Sequence, residues 1–479
     1  MARPPQAQTS NNRAPQGQLT SRTDRAPKEV RRNEEGMRLL VIDPPGSGVD
    51  VSLRARRAGH DVKLFIKRDA KTEHIGRGFV ECVDDFRPWL RWSDLVLATD
   101  NTIYLIELER HRQEGGLVIA ASPETAQWEI NREKGQEVFK KAGIATLPSK
   151  TFNDYDEAIA FIKATMKRYV SKPSGDGLAD KALSYVSESP EDMIYMLQRW
   201  KRLGKLKGPF ILQEFIKGIE AGVSGYFGPH GWNAGWEENF EFKKLMNDDL
   251  GCGTGEQGTV LRVVDKSKLA NEMLVPLTRQ LHKANYVGDI DVNCIIDEKG
   301  HPWPLEFTAR CGWPAFQLHM ALCEGDPVEW LLSLAKGIDA RPFLRNKVAC
   351  GVVLSIPDYP YSHLTRKEVV GIPIYGIKPS LWKHVHPCEM MMAQKVPVQV
   401  NGTIVDMPHP ATAGDYVLVM TALADTVKDA ALTCYRRLTN LTIPNSPMFR
   451  TDIGKRLAKQ LPKLQAKGYA IGLNYSAGS

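Results

Sequence analysis

The chain has 479 residues, 42% hydrophobic and 25% charged, with a net charge of +7, a balance that supports roughly two to four ordinary cores and excludes general disorder. No apolar run approaches the roughly 20 residues of a membrane-spanning helix, and the basic residues are spread rather than gathered in a stripe, which argues against nucleic acid and for mild attraction to phosphates. The eight cysteines stand apart, with no CxxC pair and no signal-peptide core before them, as expected of reduced thiols in a cytoplasmic protein.

Residues 1–36 are rich in Pro, Gln, Arg and Asn and nearly devoid of aliphatic side chains, so a disordered basic tail is expected there. Order is expected from Met37. "MRLLVID", the glycine turn Gly46–Gly48, a helical stretch, "DVKLFI", "DLVLATD", the helix "IYLIELERHRQEG" and "LVIAAS" alternate strand and helix, which predicts a Rossmann-like parallel sheet over 37–145. A dinucleotide site fits poorly: Val51 replaces the third glycine of GxGxxG, and Lys67-Arg68 stand where a ribose carboxylate belongs.

From 146 to 345 the pattern changes to α+β. "RYVSKPSGDGLADKALSYVS" reads as strand, glycine loop, strand, followed by the helix "PEDMIYMLQRWKRLG" and the strands "FILQEFI" and "EAGVSGYFG". A long helix is expected over 267–286, then "GDIDVNCIIDEKG" and "PWPLEFTAR" as a hairpin. The remainder, 346–479, carries "CGVVLSI", "VPVQVNG", "YVLVMTA" and the helix "DTVKDAALTCYRRLTN", which reads as a separate small β-rich domain.

Candidate chemistry lies in four places. Lys172 and Lys181 flank Gly175, Asp176 and Gly177, where bare backbone and point charge could hold phosphates. Glu214 and Glu220 are carboxylates able to take ribose hydroxyls. On "DIDVN" the residues Asp289, Asp291 and Asn293 alternate to one strand face, and Glu306, Thr308 and Arg310 do the same across the hairpin. Oxygen ligands and an arginine opposite a phosphate loop suit Mg²⁺ bridged to phosphates, and the alternative is an exposed polar sheet face. Fourth, His384, His386 and Cys388 alternate as zinc ligands could, or as ordinary strand residues.

Taken in order, "MRLLVID", "DLVLATDN", "LVIAASPETAQWE", "DGLA", "LQEFIKGIEAGVSGY", "LEFTARCGWP", "GVVLSIPDYPYS" and "FRTDIGKRL" resemble an ATP-grasp ligase of the phosphoribosylamine–glycine ligase family, from about Met37 to Leu457. The resemblance makes 146–345 an ATP-grasp domain that uses ATP with Mg²⁺ or Mn²⁺. It implies that Lys172, Gly175, Asp176, Gly177, Lys181, Gln213, Glu214, Phe215, Ile216 and Glu220 hold the nucleotide. "FKKLMNDDLGCGTGEQGTV" matches the family's lysine strand and glycine loop, which puts Lys243 and Lys244 at the phosphates and Gly253, Thr254 and Gly255 in the loop over the reacting centre. Glu306, Thr308, Asp291 and Asn293 become metal ligands. Arg310 would face the amino-acid carboxylate or the transferred phosphoryl, or else pair with nearby carboxylates. Either Arg132 or Lys134 would reach the nucleotide.

The implied reaction joins an amino acid to an amine-bearing sugar phosphate or nucleotide through an acyl phosphate, in a soluble monomer or homodimer. The family's GNGGREH reads "DPPGSGVD" here, its GPE reads "TDN", and its GDPE reads "GWPA", while Thr308 replaces an asparagine. The acceptor-facing blocks therefore depart more than the ATP-facing ones. Two further readings follow: the same chemistry on another amine, or a non-catalytic nucleotide-binding relative.

Overall fold

Short aliphatic runs between glycine turns build the first layer. Arg38–Ile42 (β1), Asp61–Phe65 (β2), Glu81–Val83 (β3), Leu95–Ala98 (β4) and Val118–Ile119 (β5) form a parallel sheet in the order β3-β2-β1-β4-β5. The helix Val49–Arg57 crosses from β1 to β2, as a parallel connection requires. The computed structural model describes residues 36–174, 183–205, 208–361, 363–364, 366–444 and 446–478, and Met37–Ser479 form one unit.

A second layer has a core of its own. Ser149–Phe152 (β6), Tyr169–Pro173 (β7), Tyr185–Val186 (β8) and Phe210–Glu214 (β9) make an antiparallel sheet ordered β6-β9-β7-β8. The helices Tyr155–Thr165 and Pro190–Arg202 pack on it through Ile162, Met193, Leu197 and Trp200. Asp154 and Ser189 start these helices by accepting backbone N–H bonds.

The largest layer is antiparallel. Gly218–Gly228 (β10), Gly231–Trp232 (β11), Trp236–Glu241 (β12), Gly258–Val264 (β13), Gly288–Asp297 (β14), Pro302–Thr308 (β15), Val348–Ser355 (β16) and Val385–Pro387 (β17) belong to it. Met390–Val400 (β18) and Thr403–Thr412 (β19) form a separate hairpin, and Tyr416–Ala424 (β20) returns to the sheet. Its order is β15-β14-β10-β12-β13-β16-β20-β17, with β11 beside β10.

The β-rich C-terminal region is continuous with this sheet: β16 pairs with β13 from Gly258↔Val352 to Arg262↔Val348 and β20 follows β16, while β18 stays in its own hairpin. A strand's sequence states its two faces but not its neighbour. One expectation needs correction. The long helix expected over 267–286 is broken into Lys268–Met273, a tight turn at Val275–Leu277, and Thr278–Lys283. Pro276 lacks the N–H and fills the space that a continuous helix needs.

Candidate active site

The polar face predicted on β14 is buried rather than solvated. Val292, Cys294 and Ile296 point into the core, while Asp289, Asp291 and Asn293 on the other face are each 6% exposed or less. Cross-strand register lines up further polar groups with them: Asp291 faces Thr308 and Asn293 faces Glu306 on β15. On the other side Asn293 faces Gly222 and Asp291 faces Ser224 on β10. Beyond those, Gly222 faces Asn239 and Ser224 faces Glu237 on β12. A Cβ at Gly222 would lie 2.1 Å from Asn239 Oδ1, so only glycine leaves room for that amide.

At one end of this face, cations and carboxylates from separate elements converge. Lys243 Nζ lies 3.0 Å from Glu220, 2.8 Å from Glu241 and 3.3 Å from Glu306. Arg132, the first residue of the helix Arg132–Lys141, reaches Glu306 Oε2 at 2.5 Å. Lys172 on β7 donates to Gln213 Oε1 at 3.1 Å and to the Leu305 carbonyl at 3.4 Å, so it joins the small layer to the large sheet.

These neighbours set the charge states. Burial alone would raise the Glu306 carboxyl, but Arg132, Lys243 and Lys172 outweigh it and hold that group well below the usual range. Burial would lower Lys243, yet Glu220, Glu241 and Glu306 keep its ammonium well above the ordinary lysine value. At Lys172 the compensation falls short: burial, with Arg132 and Lys243 nearby, outweighs Glu306 and Glu220 and brings it down to about 8. Burial, then Glu241 and Glu237, pushes Asp291 well above the carboxylate range.

Behind the charged end runs a hydrogen-bonded chain. Asn293 donates to Glu241 at 2.9 Å, and Asn239 donates to Asp291 at 2.8 Å and to Glu237 at 2.9 Å. Asp291 Oδ1, Asn293 Oδ1 and Asn239 Oδ1 are buried with no protein partner. Buried oxygens without a donor are costly, and hard oxygen atoms are what a magnesium-type cation takes. Among the described residues no three His, Cys, Asp or Glu converge as a complete metal cage. A cation held by one or two carboxylates plus substrate phosphates needs none.

The remaining expected residues fall as follows. Glu214 pairs with Lys167 at 2.5 Å, Phe215 lies under the Arg168 guanidinium at 3.6 Å, and Ile216 is half-buried beside them. Thr254 donates through both its N–H and its hydroxyl to the Lys243 carbonyl, and Lys244 bridges Gly253, so the segment 243–254 folds back on itself. Cβ atoms built at Gly253 and Gly255 would meet nothing within 4 Å, and neither residue has a positive φ. Neither packing nor conformation requires these glycines. Gly175, Asp176, Gly177 and Lys181 lie outside the described residues. His386 is committed to Asp50 and Thr421 rather than to zinc, since its alternation with His384 and Cys388 turns it into the interior.

Arg310 pairs with Glu129 at 3.2 Å, and Glu129 also accepts from Asn101 and from the Ala309 N–H. At the end of β1, Asp43 is fully buried; Thr99 donates to it at 2.6 Å, and the N–H groups of Ser47 and Gly48 donate to it as well. Burial raises Asp43 to about 6 against those hydrogen bonds.

Several site residues escaped the sequence. Glu237, Asn239 and Glu241 carry the same period-two polar signal as β14, in "WEENFE", and could have been found by it. Arg132 rather than Lys134 reaches the site, because Lys134 bonds Gln127 instead. Glu129 has no local signal.

Residues 131–315 match the family described as phosphoribosylglycinamide synthetase, ATP-grasp (A) domain. Phosphoribosylamine–glycine ligase from Ralstonia nicotianae is 26% identical over 361 residues, covering 73% of this chain and 81% of the relative. The crystal structure of phosphoribosylamine–glycine ligase from Thermotoga maritima superimposes with a TM-score of 0.65 at 19% identity, over 87% of this chain and all of that one. An L-amino acid ligase from Bacillus licheniformis gives 0.52 at 13% identity, over 86% of this chain and all of that one. Two antiparallel layers that meet at Lys172 beside a parallel sheet, with cations gathered around Glu306, give this chain an ATP-grasp fold, with the ATP-grasp domain matched over 131–315. Within that class the chain is most similar, among these comparisons, to phosphoribosylamine–glycine ligases, and its residues 131–315 match their ATP-grasp domain.

Proposed function

We propose that the protein is an ATP-dependent carboxylate–amine ligase, joining glycine to phosphoribosylamine with release of ADP and phosphate, in purine synthesis in the cytoplasm. The observation that carries this reading is the grip of Arg132 and Lys243 on Glu306, with Lys172 beside them, on a buried face where Asp291 Oδ1, Asn293 Oδ1 and Asn239 Oδ1 have no protein partner.

Glu306 and Asn293, with Asp291 or Thr308 next to them, would hold Mg²⁺ or Mn²⁺, which when bound neutralises phosphate charge. Lys172, Arg132 and Lys243 supply positive charge toward the ATP phosphates, and Gln213 to Glu220 line the adenine and ribose side. A glycine carboxylate oxygen attacks the γ-phosphorus and ADP leaves. The amine lone pair then attacks the acyl carbon, phosphate departs and the nitrogen loses a proton. Such transfers depend on positioning and charge rather than on a protein nucleophile. Arg310, anchored by Glu129, would orient the glycine carboxylate.

A second reading keeps the activation but changes the amine. It is favoured by Asp43, whose carboxylate takes the Ser47 and Gly48 N–H groups that could otherwise receive a phosphate. The test is phosphate release from ATP and Mg²⁺ with glycine, with and without freshly generated phosphoribosylamine, then with ribosylamine in its place. Release that requires phosphoribosylamine supports the first reading, and release with ribosylamine alone supports the second. Failure to release phosphate or form an amide in every arm, with ATP still bound, defeats both.

A further inference from the structure

The segment 247–249 is docked onto a stretch of chain some two hundred residues away. Arg450 is 2% exposed and donates to Asp249 at 2.9 Å, to the Lys244 carbonyl at 3.0 Å and to both oxygens of Asp452 at 2.8 Å. Arg456 donates to the other Asp249 oxygen at 2.8 Å and to the Glu241 carbonyl at 2.5 Å. Both guanidinium groups lie over the Phe242 ring, 5.2 and 4.1 Å from its centroid. Asn247 exchanges two hydrogen bonds with Thr451, and the Asp248 N–H donates to Asp452 at 2.9 Å.

Two features make this more than a surface contact. Asp248 and Asp249 both have φ of 56°, a left-handed conformation that consecutive non-glycine residues keep only when their surroundings over-determine it. The arginines also hold the Glu241 carbonyl, the Phe242 ring and the Lys244 carbonyl, which fixes the main chain on both sides of Lys243. The Lys243 ammonium in turn lies among Glu220, Glu241 and Glu306.

We infer that Arg450 and Arg456 are positioning residues of the ligase site: they fix the chain around Lys243 and anchor the fold-back from which the 251–258 glycine loop leaves. This rests on the reading of Lys243 as a phosphate-side residue. Of "KKLMNDD", Asp249 serves the C-terminal arginines, Asp248 meets Asp452 through its N–H, and Lys243 serves the site.

Three full-length variants test it. Asp249→Asn suits a left-handed position and removes the charge both arginines meet. Arg456→Ala removes a partly exposed clamp, and Arg456→Lys restores its charge without the forked geometry. Asp249→Asn and Arg456→Ala should each lower kcat by roughly tenfold or more, since small displacements of reacting groups are costly. KM for ATP should change far less, and Arg456→Lys should recover part of kcat. Amides of 244–257 should exchange with solvent roughly tenfold faster in both variants while those of 348–355 stay protected. Unchanged kcat, or exchange that rises evenly through the sheet as simple destabilisation would make it, overturns the inference. Should the wild-type protein form no amide, the function reading fails separately. Exchange at 244–257 with and without MgATP then decides the inference: loss of ATP-induced protection in the variants supports it, and wild-type protection overturns it.

Discussion

The Arg132 guanidinium lies 2.5 Å from Glu306 Oε2, and Lys243 approaches the other oxygen at 3.3 Å. A carboxylate so held stays ionised, and its side chain is partly open rather than part of the core. Glu306→Gln should therefore lower turnover by roughly a hundredfold or more, the scale of losing a charge stabiliser of the transition state. Thermal melting should show little change. Wild-type turnover in this variant would remove Glu306 from the mechanism.

Lys172 gives a pH signature. Burial beside Arg132 and Lys243 brings it down to about 8, so its positive charge is present below that pH and lost above it. In the free enzyme kcat/KM for ATP should fall as pH rises through about 8, with a slope of one proton. Lys172→Arg should abolish that limb, because arginine keeps its proton. Lys172→Met should lower kcat/KM by roughly tenfold to a hundredfold, the loss of a charge-assisted hydrogen bond, and flatten the profile. A wild-type profile with no limb between pH 7 and 9 would count against Lys172 as a phosphate contact.

What could be read from the sequence depended on whether a residue's partner is set locally. That Asp291, Asn293, Glu306 and Thr308 share one face was legible because a strand sends alternate residues to one side, and the register then brings the two strands' sets together. The same rule, unused, would have exposed Glu237, Asn239 and Glu241. Arg132 and Lys134 stand two apart on one helix, and only the fold decides which reaches Glu306. Asp249 received no role from the sequence, although it stands close after two lysines assigned to the phosphates. Its partners Arg450 and Arg456 come from the far end of the chain, and no spacing rule connects them. The attachment of β16 to β13 was hidden for the same reason.

Gly253 separates a ligand role from a structural one. Its φ is not positive, and a Cβ there would meet nothing within 4 Å. Gly253→Ala should leave stability unchanged or raise it by about 0.4–1 kcal/mol, because alanine narrows the unfolded ensemble. Catalysis should still fall if phosphate lies against this backbone, since glycine permits the closest approach. Melting temperature and kcat should thus move in opposite directions. Equal kcat with raised stability would make Gly253 a residue of chain flexibility alone.

His386 joins the first helix to the C-terminal strands and stands apart from the site. It is fully buried, 2.6 Å from Asp50 and 2.8 Å from the Thr421 hydroxyl, and Asp50 also meets Arg54 at 2.7 Å. Burial, with Arg54 close by, outweighs Asp50 and lowers the His386 pKa from 6.5. Because the folded state resists protonation, this contribution to stability is present above about pH 6.5 and lost as pH falls from there toward the lowered value. Asp50 is shifted below its ordinary value by Arg54 and His386 despite burial, so its contribution is also lost in acid, at lower pH. His386→Ala should cost roughly 2–4 kcal/mol at pH 7.5, the range for breaking a buried charged hydrogen-bonded pair. The deficit should shrink between pH 7 and 5, because the unfolded wild-type chain takes up the proton that folded His386 resists and its advantage over the variant falls, while KM for ATP stays near the wild-type value. A deficit that stays constant across that range would show that His386 acts through packing alone.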